Sequence, residues 1–386
     1  MTAQDLQGLQ YFRLLGPLFD HLHAAGTERD RAGNRQLFYD RYATLLLVYF
    51  FNPTVTSLRG LQPTTTLAQV QTRWGIRRTA LGALGEAASV FDAALLHEVL
   101  TALGAQLRPR VSGAEQAALA SLTAGDGSLL PALPRMLWAV WQDDQQRAAK
   151  MHVAFAVLRH GPVDVTVTAG NASERAELRR LAQPGGVSVF DRGYADYNLF
   201  QELHALPCSF IGRVKDNTVY EVQEERPVSA AAQAAGVQQD AVLRRLGTAP
   251  HVQVLPQPFR VVRVATGKTD ANGTPEVMVL VTNRLDLDAD LVALAYRYRW
   301  AVELFFRWVK WVLGCRHLLS QTANGVRMQV YVALIASLLI SLWVGRAPTK
   351  RTYEMLCFSL SGWASATELI AHIDRLHLKA PPPCKN

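Results

Sequence analysis

Tyr296-Arg297-Tyr298-Arg299-Trp300-Ala301-Val302-Glu303-Leu304-Phe305-Phe306-Arg307-Trp308-Val309-Lys310 reads as part of one long helix, from about Asp288 to Leu313. At about 100° per residue, with Tyr296 at 0°, Arg299 falls near 300°, Lys310 near 320°, Glu303 near 340° and Arg307 near 20°. These five side chains make one polar stripe. Leu294, Val302, Phe305, Phe306, Val309, Val312 and Leu313 fall on the far side, as in an amphipathic helix seated on a core. A solvated face usually mixes acids with bases. Here a single carboxylate stands among three cations and a tyrosine, which suits a metal ligand beside a phosphate chain. The alternative, a surface Arg–Glu pair one turn apart, contributes little energy.

Two aspartates fit the same chemistry. Ala118–Ala124 is a short apolar run ending in Gly125-Asp126-Gly127-Ser128, and Val187–Phe190 is a second one ending in Asp191-Arg192-Gly193-Tyr194. Both runs read as buried strands, and ligand sites in open α/β sheets gather at the carboxyl ends of strands. Two carboxylates there can share Mg2+, a hard cation that takes oxygen ligands. Taken alone, each aspartate could equally cap the turn after it. Met151–Leu158 and Val163–Thr168, split by Gly161-Pro162, read as a hairpin. Glu174–Leu181 and Tyr194–Leu203 read as helices, and Cys208–Val214 and Val277–Thr282 as strands. That order predicts a mixed sheet covered by helices on both faces.

With 386 residues, 49% hydrophobic and 19% charged, the chain is neither disordered, collagenous nor coiled coil. Its four cysteines form no C-x-x-C pair, which argues against a disulfide framework or a cysteine-rich zinc site. No basic stretch followed by an apolar run marks a signal peptide at Met1–Gln10. Met328–Gly345 is uncharged but holds Gln329, Ser337 and Ser341, and reads as a buried core helix rather than a membrane span. Residues 291–386 carry 12 basic and 4 acidic side chains and residues 1–110 carry 11 and 8, while the middle of the chain is acidic. Basic ends around an acidic centre fit a polyanion partner and a cation site. Residues 1–110 read as helical and basic, and Leu67–Ala88 has the outline of a helix-turn-helix, with Gly75 at its turn. Residues 111–345 read as the core, interrupted at about 216–275 by a polar, β-rich insertion. Residues 346–386 read as a helical segment and tail.

The helix matches Y-x2-R-x3-E-x6-K without a gap, through Tyr296, Arg299, Glu303 and Lys310. The pattern resembles the signature of DDE transposases of the insertion-sequence type 4 family. Asp126 resembles that family's first catalytic aspartate, Asp191 its second and Glu303 its glutamate. The resemblance covers about residues 118–345. It implies a ribonuclease-H-like mixed five-stranded sheet with flanking helices, a β-rich insertion domain and a helical N-terminal region. It further implies that Asp126, Asp191 and Glu303 hold two Mg2+ ions, for which Mn2+ can substitute, and that Tyr296, Arg299, Arg307 and Lys310 lie along the DNA backbone. The partners it implies are double-stranded terminal inverted repeats, target DNA and a second copy of the chain in a synaptic complex. It implies no membrane, a setting in the bacterial cytoplasm at the nucleoid, and an activity of metal-dependent strand cleavage and strand transfer. The rival readings are an inactive DNA-binding transposition inhibitor and a structure-specific nuclease on the same fold.

Relatives that cleave through a DNA hairpin flip a base onto an aromatic residue, commonly a Trp of the insertion. No Trp lies between residues 142 and 299, and the insertion offers Tyr220 and Phe259. Trp141 and Trp300 read as packing residues. Lys150 and His152 read as packed or solvent-facing. Asp143 and Asp144 are too close in sequence to face one ion.

Overall fold

The structure, a computed structural model, describes residues 15–28, 35–109, 118–142, 146–269, 273 and 275–378. Among the described residues six helices come first: α1 Leu15–Glu28, α2 Tyr39–Phe50, α3 Leu58–Thr64, α4 Ala68–Trp74, α5 Leu81–Val90 and α6 Ala93–Gly104. Strands β1 Leu122–Pro131, β2 Ala148–Ala156 and β3 Gly161–Ala169 lead into α7 Glu174–Leu181, β4 Val187–Phe190, α8 Tyr197–Ala205 and β5 Ser209–Arg213. Next are β6 Thr218–Glu225, α9 Ala230–Ala234, β7 Val237–Thr248, β8 His251–Thr269 and β9 Pro275–Thr282. The chain closes with α10 Ala289–Tyr298, α11 Trp300–Arg307, a π-turn at Trp308–Val312, α12 Ala323–Val344, α13 Lys350–Leu360 and α14 Ala366–Leu378.

Among the described residues the strands form one nine-stranded sheet in the order β3-β2-β1-β4-β5-β9-β8-β7-β6. The β1–β4 and β4–β5 pairs are parallel and the rest antiparallel. A mixed five-stranded block is present as expected, but the sheet does not stop there. Strand β9 pairs with β5 on one edge and β8 on the other, so the polar segment 216–275 extends the main sheet. Without β9, the edge of β5 would present unpaired N–H and C=O groups. Exposed positions alternate along β6, the mark of a strand with one wet face, which is why this segment looked separate in sequence.

Strand β4 is buried at all four positions, because helices cover both faces of the sheet here. On one face Phe190, Phe200 and Phe210 stack, with the Phe200 and Phe210 ring centroids 4.9 Å apart, and Phe259 meets Phe210 edge-on. On the other, Phe155 meets Phe305 at 4.8 Å. Helix α12 runs through the centre of the larger cluster. It is long and apolar enough to cross a membrane, yet 89% of its apolar window is buried inside the chain. Its polar groups are matched: Ser337 Oγ accepts from Trp308 Nε1 at 3.1 Å, and Gln329 Nε2 donates to His317 O at 2.7 Å.

The N-terminal helices share this cluster. Asn324, in the first turn of α12, donates through Nδ2 to Ala88 O at 2.8 Å and Phe91 O at 2.6 Å, and accepts from Ala93 N at 3.2 Å. Tyr49 Oη donates to His317 O at 3.3 Å, and Tyr353 Oη donates to Phe50 O at 2.7 Å. Gly75 closes α4 with φ of 62°, and a Cβ there would lie 2.9 Å from Arg41 Nη1, which itself donates to Trp74 O. The turn therefore falls where the helix-turn-helix outline put it, between helices of 7 and 10 residues. The basic cluster at Lys350 and Arg351 opens α13, capped by Thr349, whose Oγ1 accepts from Thr352 N. A capping box between Ser365 and Glu368 starts α14.

Asn324→Ala is expected to lower stability by about 1–3 kcal/mol, because it strands two carbonyls and an N–H at the α5–α6 corner. Urea unfolding checks this through a lower midpoint at unchanged slope.

Candidate active site

Strands β1 and β4 pair at Leu122–Val187, Thr123–Ser188 and Ala124–Val189, after which β1 continues with β2 alone. Two residues past the last pair, Asp126 and Asp191 stand on neighbouring strands. The β4–β5 register, ending at Phe190–Gly212, puts Arg213 next to Asp191. Residues at matching offsets of parallel strands share a face. Asp126, Asp191 and Arg213 therefore form a row where β4 and β5 end, beside the middle of the longer β1. The glycines around Asp126 have a steric reason. A Cβ on Gly125 would meet Leu178 Cδ1 at 2.5 Å, and one on Gly127 would meet Lys150 Cε at 3.0 Å and His152 Nδ1 at 3.2 Å.

Both aspartates also serve the backbone. Asp126 Oδ1 accepts from Gly127 N at 2.7 Å, and Asp191 Oδ1 accepts from Gly193 N at 2.8 Å. One oxygen of each is used this way.

The polar stripe is carried by three helical pieces instead of one. Around Arg299 the hydrogen bonds tighten: Arg299 N donates to Tyr296 O and Val302 N donates to Arg299 O, both from three residues on. A π-turn follows at Trp308–Val312. Single turns of this kind often mark functional positions, and periodicity does not reveal them. Tyr296 is buried, and the Arg299 guanidinium lies 5.7 Å from its ring centroid. Arg299 Nη2 pairs with Glu303 Oε1 at 2.6 Å, while its buried Nε has no partner. Arg307 is exposed. Lys310 is half-buried, with Nζ 3.5 Å from Leu129 O on β1, and burial holds its ammonium below the usual range.

Burial pushes the Asp126 carboxyl up to about 7; Asp191 and Glu303 push it further up, against the Gly127 N–H and Arg299. Asp126, Asp191, Glu303 and Arg299 thus occupy one electrostatic neighbourhood. Tyr194 beside it is raised by burial, Asp126, Glu174 and Asp191. A carboxyl whose proton is held mainly by burial, with two other acids adding to the effect, suits a cation, which would remove the need for that proton. The donors are hard oxygens, as Mg2+ prefers. Among the described residues, however, no three His, Cys, Asp or Glu side chains converge closely enough to hold a metal. Glu303 Oε1 pairs instead with Arg299 Nη2.

Several neighbours differ from the sequence reading. Trp300 is 52% exposed and is not a packing residue; Leu304 at 48% and Trp311 at 61% continue its stripe. The reason is angular, since these residues sit just beside the polar stripe and away from the core. Trp141 is half-buried, against Gly170. Phe259 is buried in the aromatic cluster, and Tyr220 Oη donates to Gln239 Oε1 at 3.3 Å. Lys150 pairs with Glu174, and His152 is buried with Nε2 2.9 Å from Thr168 Oγ1. Asp143 and Asp144 lie outside the described residues. Arg213 and Glu174 were not singled out in the sequence. The only signal for Arg213 was its place at the end of an expected strand.

Residues 118–339 match the model of the transposase DDE domain family. The chain belongs to this family. A protein named as transposase y4zB in Sinorhizobium fredii (strain NBRC 101917 / NGR234) is 29% identical over 198 residues, which is 51% of this chain and 53% of that protein. The protein named as the transposase for insertion sequence element IS5377 of Geobacillus stearothermophilus is 30% identical over 227 residues, 58% of this chain and 56% of that one. The match therefore spans about half the length of these curated relatives. A solved piggyBac transposase synaptic complex with hairpin DNA covers 99% of this chain and 87% of its own at 11% identity. Its TM-score of 0.46 is too low to carry an argument. The match to the DDE domain takes in β1, β4 and the polar stripe, and hence all three acids.

Behind Asp126, burial pushes His152 down to about 4 from an ordinary 6.5. Between those values the folded DDE domain binds fewer protons than the unfolded chain, so stability is complete above pH 6.5 and is lost as the pH falls towards 4. The expected loss is about 3 kcal/mol. Urea midpoints at pH 7 and pH 4.5 should fall less steeply in His152→Gln than in the parent.

Proposed function

We propose that this chain is a cut-and-paste transposase of the insertion-sequence type 4 kind, acting through a ribonuclease-H-like core. The observation that carries the reading is that the β1–β4 register sets Asp126 beside Asp191, with Glu303, from a distant helix, in the same electrostatic neighbourhood. In this reading residues 1–110 help to grip DNA. Residues 111–345 form the catalytic core with its insertion at about 216–275, and residues 346–386 close the chain.

Asp126, Asp191 and, once released from Arg299, Glu303 are the residues that would hold two Mg2+ ions, or Mn2+ in their place. Ions so held supply activation of water or a DNA 3′-hydroxyl and stabilisation of the leaving oxygen. The chain's own groups do the rest. Arg299 exchanges Glu303 for a backbone phosphate, as a guanidinium fork can pair with either anion. Its partnerless Nε leaves one donor for that exchange. Tyr296 supports the guanidinium from beneath. Arg307 and Lys310 extend the cationic line along the helix, positioning DNA without reading its sequence. The substrates are the element's terminal inverted repeats and then target DNA. Two copies act together, since both ends must be cut and joined in concert. The reaction is strand cleavage followed by transfer of the 3′ ends.

Asp191→Asn is expected to abolish Mg2+-dependent nicking of an end-containing duplex while gel-shift affinity stays within about two-fold. An amide keeps the cap on Gly193 but binds a hard cation poorly. If the variant nicks at a rate comparable with the parent, Asp191 is a turn cap and nothing more.

Lys310→Ala is expected to weaken binding to specific and unrelated duplexes alike, and to reduce the slope of log K against log salt by about one. An unchanged slope with altered sequence preference would assign Lys310 to base reading instead.

A further inference from the structure

Asp240 on β7 and Arg260 on β8 form the most deeply buried ion pair of the described residues, at 3% and 1% exposure. The fork is bidentate: Nε donates to Asp240 Oδ1 at 2.6 Å and Nη2 to Oδ2 at 2.7 Å. The remaining nitrogen, Nη1, points away from the insertion. It donates to Leu287 O at 2.5 Å and to Arg284 O at 3.3 Å. A second arginine of the insertion, Arg226, donates through Nη1 to Leu285 O at 2.8 Å, while its own N–H donates to Asp240 O at 2.8 Å. Three carbonyls of the loop between β9 and α10 are thus held by two arginines, and both arginines are tied to Asp240.

That loop launches the helix that leads to Glu303. Asp288, at its N-cap position, makes no side-chain capping bond, so the helix start is set by what grips the loop before it. Helix α10, ten residues at about 1.5 Å each, is about 15 Å long, and a tilt of about 5° at its base moves its far end, where α11 begins, by about 1 Å. A misplacement of about 1 Å already costs a catalytic group on the order of a hundred-fold. A buried ion pair is seldom worth more to stability than a well-packed apolar pair. What this one has that an apolar pair lacks is direction.

We propose that Asp240 and Arg260, with Arg226, are positioning residues: through the carbonyls of Arg284, Leu285 and Leu287 they set where α10 and α11 present Glu303 to Asp126 and Asp191. This rests on the assignment of those three acids made above. It gives the β-rich segment a task independent of any DNA contact, namely holding the base of the helix that completes the site.

The test is Arg260→Lys, which keeps a cation opposite Asp240 but loses the fork to the carbonyls. Arg226→Ala is run beside it, because that half-exposed side chain can be removed without emptying the core. Mn2+ binding to the full chain is titrated by electron paramagnetic resonance of the free ion, with gel-shift binding and nicking on the same preparations. Arg260→Lys should weaken Mn2+ affinity by about ten-fold or more, as for other groups that orient a ligand from behind, with DNA affinity within about two-fold. Arg226→Ala should move Mn2+ affinity the same way by less. A merely structural pair would instead lower the number of binding-competent molecules and leave their affinity alone, and that result in both variants overturns the inference. Asp191→Asn and Glu303→Gln serve as controls. If they weaken Mn2+ binding and the arginine variants do not, the positioning role alone falls. If they too leave Mn2+ affinity untouched, the assignment of the acids falls and takes the positioning role with it.

Discussion

Beyond Ala124 and Val189, β1 and β4 stop exchanging hydrogen bonds, and the candidate site depends on that parting. Were the two strands paired for their full length, Asp126 would sit in mid-sheet between two ladders. Because β1 continues with β2 only, Asp126 faces the open end of the sheet beside Asp191 and remains largely buried. Burial makes its charge expensive, and the neighbouring acids make it more so. The tension is partly answered by Arg299, which brings positive charge to the same place from a helix more than a hundred residues further on. Sheet geometry creates the demand for a cation, and the helix both supplies a substitute and carries the third acid.

Legibility in sequence followed the range of the interactions. Asp126 and Asp191 could be found because each follows a short apolar run, a local fact, although β1 runs on through Asp126 to Pro131 where the sequence reading ended its strand at Ala124. Glu303 could be found because helical spacing places it on one face with Tyr296 and Arg299. Gly75 and the buried α12 were equally readable, since one reflects backbone conformation and the other composition. Arg213 was not readable, because its nearness to Asp191 comes from the β4–β5 register, which no local pattern encodes. Nor was the role of β9, whose two partners lie on opposite sides of it in the sheet. Trp300 was misread because its aromatic type was weighed above its angular place, which lies beside the polar stripe and away from the core.

The Glu303 helix shows how small departures from regularity matter. Tightening at Arg299 and widening at Trp308–Val312 act in opposite senses. Between them lies α11, eight residues long, with Val302, Phe305 and Phe306 buried. A uniform helix would carry the stripe straight past the sheet. The irregular one fixes α11 by its apolar side and leaves Lys310 turned toward β1.

The hydroxyls of Tyr49 and Tyr353 make bonds that span most of the chain, the first to residue 317 and the second back to residue 50. During synthesis, α2 leaves the ribosome long before either partner exists. Helix α1 and Phe91 cover part of its apolar face early, but the rest has no cover until α12 and α13 have followed. The first hundred residues must therefore wait, partly open, for the last third of the polypeptide. A ribosome that stalls or terminates early would release a chain with its central apolar seam unsealed, a ready substrate for proteases and chaperones.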